Sequence, residues 1–188
     1  MASNKKTNIV DTPPVDLMDH PFYGIDLDDE QRIMAQSIWD KNIDIVFCNA
    51  KAGTGKTTIA TGAANLLVQH GFFDNIIYVQ VPYGEKKQGF LPGDVTEKSS
   101  VYFEPFYQAM VECNINPYTA INDESLINQK KGTGYITCLT DTFLRGTNLD
   151  NAVVIIDEAQ NCTTAQLKKI LTRVGKHAKV VVIGHDLQ

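Results

Sequence analysis

The chain has 188 residues, 43% hydrophobic and 21% charged, enough for one sizeable core and too few for two full-sized domains. Its 17 Lys and Arg against 22 Asp and Glu give a formal net charge of −5, which excludes an overall basic coat for nucleic acid but not a local basic patch. Apolar runs such as Val153–Ile156 and Val180–Ile183 fall far short of the ~20 residues of a membrane-spanning helix, so no membrane association is expected.

Residues 1–24 are polar and carry Pro13, Pro14 and Pro21, the composition of a flexible leader, which leaves 25–188 as the folded domain. No apolar stretch follows the first lysines, so no secretory signal is expected. Asp28, Asp29 and Glu30 suit a helix start, with Ile33, Met34 and Ile38 following at helical spacing. Ile43–Asn49 reads as a short buried strand. A Gly-rich turn comes next, then a helix with Ile59, Ala63, Leu66 and Leu67 on one face and a stop at Gly71. Ile76–Val81 is a second strand, and strand, turn, helix, strand is the unit of a parallel sheet.

Residues 82–140 are less regular. A long loop is expected from Pro82 to Gly93, then a helix over Pro105–Cys113 with Pro105 in its first turn, and a short helix near Asp123–Gln129. Ala152–Ile156 is β-branched without alternation, as in a strand covered on both faces. Thr163 or Thr164 should cap a helix with Leu167, Ile170, Leu171 and Val174 on one stripe, ended by Gly175, before a last strand at Lys179–Gly184. The expected fold is a three-layer α/β/α sandwich with a mostly parallel sheet. Cys48, Cys113, Cys138 and Cys162 lie far apart without a CxxC pair, which favours reduced thiols over a zinc site or a disulfide framework.

The strongest chemical signal is Ala50-Lys51-Ala52-Gly53-Thr54-Gly55-Lys56-Thr57, a GxxxxGK[ST] loop with Ala50 in the first glycine position. Gly53 and Gly55 let the backbone curl so that the N–H groups from Ala52 to Thr58 and the helix N-terminus form a nest for phosphate oxygens. Lys56 is placed to reach the β- and γ-phosphates of ATP, and the Thr57 hydroxyl to sit on Mg²⁺. By contrast Gly132-Thr133-Gly134 has no such flanks and reads as a plain turn. Hydrolysis also needs carboxylates at the tip of a neighbouring strand, and Asp157-Glu158 ends the apolar strand. Asp157 would hold Mg²⁺ through water, and Glu158 would polarise the attacking water. An acidic strand end facing solvent is the plain alternative, and the lysine loop makes it the weaker one.

Asp157-Glu158-Ala159-Gln160 before a helix resembles motif II of superfamily 1 helicases, and Gly184-His185-Asp186-Leu187-Gln188 resembles motif III, with His185 in the usual Asp place. The latter resemblance places Gln188 on the γ-phosphate side. Leu27–Gln31 resembles the upstream motif whose glutamine reads the adenine edge; an exposed helix Gln31 is nearly as good a description. Gly89–Met110, Thr142–Thr163 and Leu171–Gln188 together resemble the PhoH-like family of P-loop ATPases, over roughly Leu27 to Gln188. That resemblance implies ATP binding and hydrolysis with Mg²⁺, a cytoplasmic location, homo-oligomerisation and, in some relatives, action on RNA. It carries over Arg145 as a phosphate or nucleic-acid contact, against a surface arginine on a turn. The chain departs from the family pattern at Val81 and Thr147, where arginines are usual, and the family continues past motif III with an arginine-bearing segment. Lys86-Lys87 with Tyr83 and Phe90, and Lys130-Lys131 near Tyr135, are candidate contacts for single-stranded RNA or else solvated lysine pairs. An ATP-driven RNA remodeller and a nucleotide-gated binding module with little hydrolysis remain open beside the simple ATPase.

Overall fold

Strands β1 (Ile45–Asn49), β2 (Asn75–Gln80), β3 (Ile136–Thr140), β4 (Ala152–Asp157) and β5 (Ala178–Gly184) form one parallel sheet in the order β1-β5-β4-β2-β3. The computed structural model describes residues 14–81, 95–122, 134–140 and 149–185, with side chains omitted over 95–102. Every residue of β4 is buried, as its unbroken Val/Ile content demands of a strand covered on both faces.

Side-chain alternation sorts the strands into two cores. Ile76, Tyr78, Val153, Ile155, Val181 and Ile183 face helices α1 (Asp29–Trp39), α2 (Lys56–Gln69) and α3 (Val95–Glu112). Ile77, Val79, Val154, Ile156, Val180 and Val182 face the opposite layer, where Ile170 of a further helix packs with Leu149. The fold is therefore the three-layer α/β/α arrangement expected of a P-loop domain. A single turn of helix, α4 (Pro117–Ala120), leads towards β3, and the helix on the far face is α5 (Thr164–Leu171).

Local chemistry sets the helix starts. Asp28 caps α1 through a reciprocal box with Gln31, and Thr163 caps α5 through the same device with Gln166. Helix α2 is buried on nearly every side because Ala60, Gly62, Ala63 and Ala64 let its neighbours approach. A Cβ at Gly62 would stand 2.7 Å from Phe22 Cζ and 2.9 Å from Tyr23 Cε2, so only glycine admits that aromatic pair.

That contact corrects the expected leader. Within residues 14–24, Leu17 and Phe22 belong to the core, a short 3-10 helix spans Leu17–Asp19, and Trp39 Nε1 donates to the Pro14 carbonyl at 2.9 Å. Apolar burial and one buried indole partner outweigh the polar composition of the segment. Residues 1–13 lie outside the described residues.

Helix α3 also differs from expectation. It begins at Val95, with Pro105 inside it instead of in its first turn. The missing N–H removes one ladder bond, but Phe103, Phe106, Ala109, Met110 and Cys113 bury a continuous stripe beside the proline. Helix α5 ends at Leu171, so Val174 leaves the helical stripe and instead bridges to Leu149. Strand β3 was not anticipated, and the expected helix near Asp123–Gln129 lies outside the described residues.

Cys113, just beyond α3, is buried, and its thiol is pushed up to about 12 by burial first and then by the Glu112 charge. The folded thiol keeps its proton while the unfolded one loses it above a pKa near 9, so rising pH favours the unfolded state across that interval. Cys113→Ala is expected to remove a loss of roughly 1 kcal/mol per pH unit there. Urea unfolding of both proteins across the same pH range checks this.

Candidate nucleotide site

The lysine loop leaves β1 and turns directly into α2. Gly53 and Gly55 take φ of 76° and 74°, left-handed backbone that glycine adopts without steric cost, and Gly55 caps α2 with no side-chain partner. The first N–H groups of α2 are thus left for a ligand. Thr54 Oγ1 donates to the Lys51 carbonyl at 2.9 Å, and Lys56 Nζ donates to the carbonyls of Ala50 and Lys51 at 2.7 and 2.6 Å. Both bonds of the ammonium are made within its own loop. Burial pushes the nearby Cys48 thiol up, and the Lys56 charge offsets part of that.

Asp157 is the last residue of β4. The sequence suggests a strand adjacent to β1, but β5 lies between them and pairs with both. The two clusters meet nonetheless: Thr57 Oγ1 donates to Asp157 Oδ2 at 2.8 Å across 100 residues of sequence. Asp157 is only 5% exposed, and its other oxygen accepts the Glu158 N–H at 2.8 Å. Tyr78 Oη also donates to Asp157 Oδ2 at 2.8 Å, from the buried face of β2.

Glu158 has left-handed backbone (φ 55°, ψ 38°), which turns the chain sharply off β4 into a 3-10 turn at Ala159–Asn161. Its carboxylate accepts from Gln160 Nε2. Gln160 Oε1 accepts the His185 N–H at 3.3 Å, and Asn161 Nδ2 donates to the Val81 carbonyl at 3.1 Å. The segment after Asp157 therefore fastens the end of β4 to the ends of both β5 and β2.

One cleft of about 280 Å³ is lined by Ala52, Gly53, Thr54, Gly55, Lys56, Thr57 and Thr58 together with Asp157, Glu158 and Gln160. The Thr58 hydroxyl itself is engaged by Glu112 at the end of α3, 2.7 Å away. A second cleft of about 290 Å³ shares Thr54 and Lys56 and is walled by Gln31, Met34, Phe47 and Asn49. At its rim Gln31 Oε1 accepts the Asp28 N–H at 2.9 Å, and Nε2 donates to the Thr54 carbonyl at 3.1 Å, tying the cap of α1 to the lysine loop. Arg145 and Gln188 lie outside the described residues, as do Lys86, Lys87, Lys130 and Lys131.

Tyr78, Gln80 and Glu112 were missed as site neighbours. Gln80, polar at the tip of β2, stands in register with Asp157, a pairing that the sequence of the strand does not reveal. For a metal, the donor set is suitable: a hydroxyl and a carboxylate are hard oxygen ligands, and Mg²⁺ takes few protein oxygens and keeps water on its other positions.

The sequence profile described as PhoH-like protein matches residues 26–188. The chain belongs to the PhoH-like protein family. It is 39% identical over 147 residues to a PhoH-like protein of Synechocystis sp. (strain ATCC 27184 / PCC 6803 / Kazusa), covering 77% of this chain and 42% of that relative. It is 35% identical over 148 residues to the protein PhoH of Escherichia coli (strain K12), covering 77% of this chain and 39% of the relative. This PhoH-like chain thus spans about two fifths of the length of these curated relatives. Among solved structures it is similar to the UvsW helicase from bacteriophage T4, with a TM-score of 0.58 at 12% identity over 85% of this chain and 53% of that one. It is also similar to the Sulfolobus solfataricus SWI2/SNF2 ATPase core in complex with dsDNA, with a TM-score of 0.54 at 17% identity over 85% of this chain and 32% of that one. At those identities the likeness shows the fold alone, the three-layer α/β/α arrangement of a P-loop domain. Among the described residues no helix is long and apolar enough to cross a membrane.

Proposed function

We propose that this PhoH-like domain binds ATP with Mg²⁺ and hydrolyses it to ADP and phosphate, with turnover responsive to single-stranded RNA. The observation that carries the reading is the 2.8 Å bond between Thr57 and Asp157, since it joins the phosphate loop to the acidic strand end. Lys56 exchanges its two loop carbonyls for β- and γ-phosphate oxygens, and the open N–H groups at the start of α2 take the rest of the phosphate charge. Thr57 and Asp157 would hold Mg²⁺, which when bound neutralises charge developing on the phosphates. Glu158, kept in place by Gln160, orients and polarises the attacking water. The base and ribose are assigned to the second cleft beside Gln31, and Gln188 and Arg145 to the γ-phosphate and a phosphate or RNA contact. Cytoplasmic location and homo-oligomerisation belong to the same reading.

A second reading, a nucleotide-gated binding module with slow turnover, draws on the Lys56 ammonium, whose bonds to the Ala50 and Lys51 carbonyls at 2.7 and 2.6 Å ATP must displace. Phosphate release from ATP, with Mg²⁺ and with or without single-stranded RNA, separates the two. Glu158→Gln is expected to cut release by about 10²-fold or more while ATP still raises the melting temperature. Tight ATP binding with no release in either protein favours the module. Salt-sensitive stimulation by RNA supports the coupling, and its absence removes it.

A further inference from the structure

The Asp157 carboxylate is held from three sides, and one of the three contacts belongs to neither the phosphate loop nor the acidic turn. Tyr78 is fully buried in the middle of β2, its ring stacked on Phe106 of α3 with centroids 3.9 Å apart and planes 11° from parallel. Phe103 meets the same ring edge-on at 6.2 Å. The ring is therefore fixed, and with it the phenolic oxygen, which lies 2.8 Å from Asp157 Oδ2 and 2.6 Å from Gln80 Oε1. A phenol has one proton. The carboxylate is the stronger acceptor, so the proton points at Asp157, and the Gln80 amide, turned over, donates an N–H to the phenolic oxygen.

Thr57 would itself serve the cation, so its hydroxyl cannot be the fixed reference for the carboxylate. The remaining donors can: the Glu158 N–H fixes Oδ1 and the Tyr78 hydroxyl fixes Oδ2, which together define the carboxylate plane. We infer that Tyr78, steadied by Gln80, is a positioning residue that orients Asp157 for a divalent cation. The inference rests on the proposed reading that Thr57 and Asp157 hold Mg²⁺. Groups that hydrogen-bond a ligating carboxylate typically contribute a factor of about 10–100 to metal affinity.

Tyr78→Phe keeps the ring and its stack and removes only the hydroxyl. The test is Mg²⁺ titration of mant-ADP binding, with binding in EDTA and the melting temperature of nucleotide-free protein measured alongside. The expected result is a rise of about tenfold in the Mg²⁺ concentration at half-saturation, with binding in EDTA unchanged. Loss of binding in EDTA and of melting temperature together, with the Mg²⁺ midpoint unmoved, assigns Tyr78 a merely structural role and overturns the inference. Gln80→Ala, which leaves the tyrosine in place but unsteadied, is expected to shift the midpoint in the same direction by a smaller factor; if Tyr78→Phe does not fold, an unmoved midpoint in Gln80→Ala overturns the inference. Asp157→Asn distinguishes the two levels of failure. Mg²⁺ dependence that survives in Asp157→Asn, or is absent from wild type, removes the metal site and the inference with it. Dependence lost in Asp157→Asn but unchanged in Tyr78→Phe removes the inference alone.

Discussion

Lys56→Ala is expected to lower phosphate release from ATP by at least about 10²-fold, the range seen when one charged or oxyanion-stabilising donor is removed from a site. The fold should hardly notice. The ammonium bonds only the carbonyls of Ala50 and Lys51, in a partly exposed loop, so its loss costs on the order of 1 kcal/mol. The pairing of a large kinetic effect with a small thermal one is the signature to look for, read by phosphate release and by melting of the nucleotide-free protein. Equal release by the two proteins would end the hydrolase reading, because among the described residues no other lysine and no arginine lines the phosphate cleft in its place.

Phe106→Ala should have the opposite profile, a large loss of stability. The side chain is fully buried, stacks on Tyr78 and belongs to the core between α3 and the sheet. Removing a buried phenylalanine costs about 3–5 kcal/mol in transfer and cavity terms, and this stacked pair falls in the upper part of that range. Against a total of about 5–15 kcal/mol for a domain, that is a large share. The urea unfolding midpoint measures it. Phe106→Leu, which refills most of the cavity, should recover more than half of the loss.

The parts of the site legible in the sequence were the local ones. Residues 50–58 carry their geometry in their own spacing, since Gly53 and Gly55 must supply left-handed backbone and Lys56 must open a helix. Asp157 and Glu158 announce themselves by ending an apolar run. The parts that stayed hidden depend on register. Tyr78 reaches Asp157 only because β2 lies beside β4 with Gln80 opposite Asp157, which no local pattern in residues 75–80 reveals. The same holds for Glu112, which meets Thr58 across the packing of α3 on α2.

The fold was readable where periodicity was long and failed where a few residues decide. Leu17 and Phe22 are two apolar residues among prolines and acids, too sparse to signal burial, yet each fills a place beside α1 and α2. Pro105 is a good first-turn residue, so a helix starting there was the natural expectation; the packing of Phe103 and Phe106 carries the helix through it. Strand β3 is short and half-exposed at the sheet edge, with neither clean alternation nor a long apolar run to mark it.

The strand order has a consequence for synthesis. Among the described strands β1 and β4 are not neighbours; β5, which comes after both in the chain, is the sole partner of β1 and joins it to β4, whose other edge pairs with β2. While the polypeptide is still emerging, the lysine loop therefore follows a strand that lacks its partner, and the acidic turn ends a separate β4-β2-β3 unit. They are drawn together when Ala178–Gly184 slides between them, a late and long-range pairing of the kind that folds slowly. Nucleotide can thus serve as a reporter of completed assembly, because both halves of its cradle exist in one place only after the last described strand has been made.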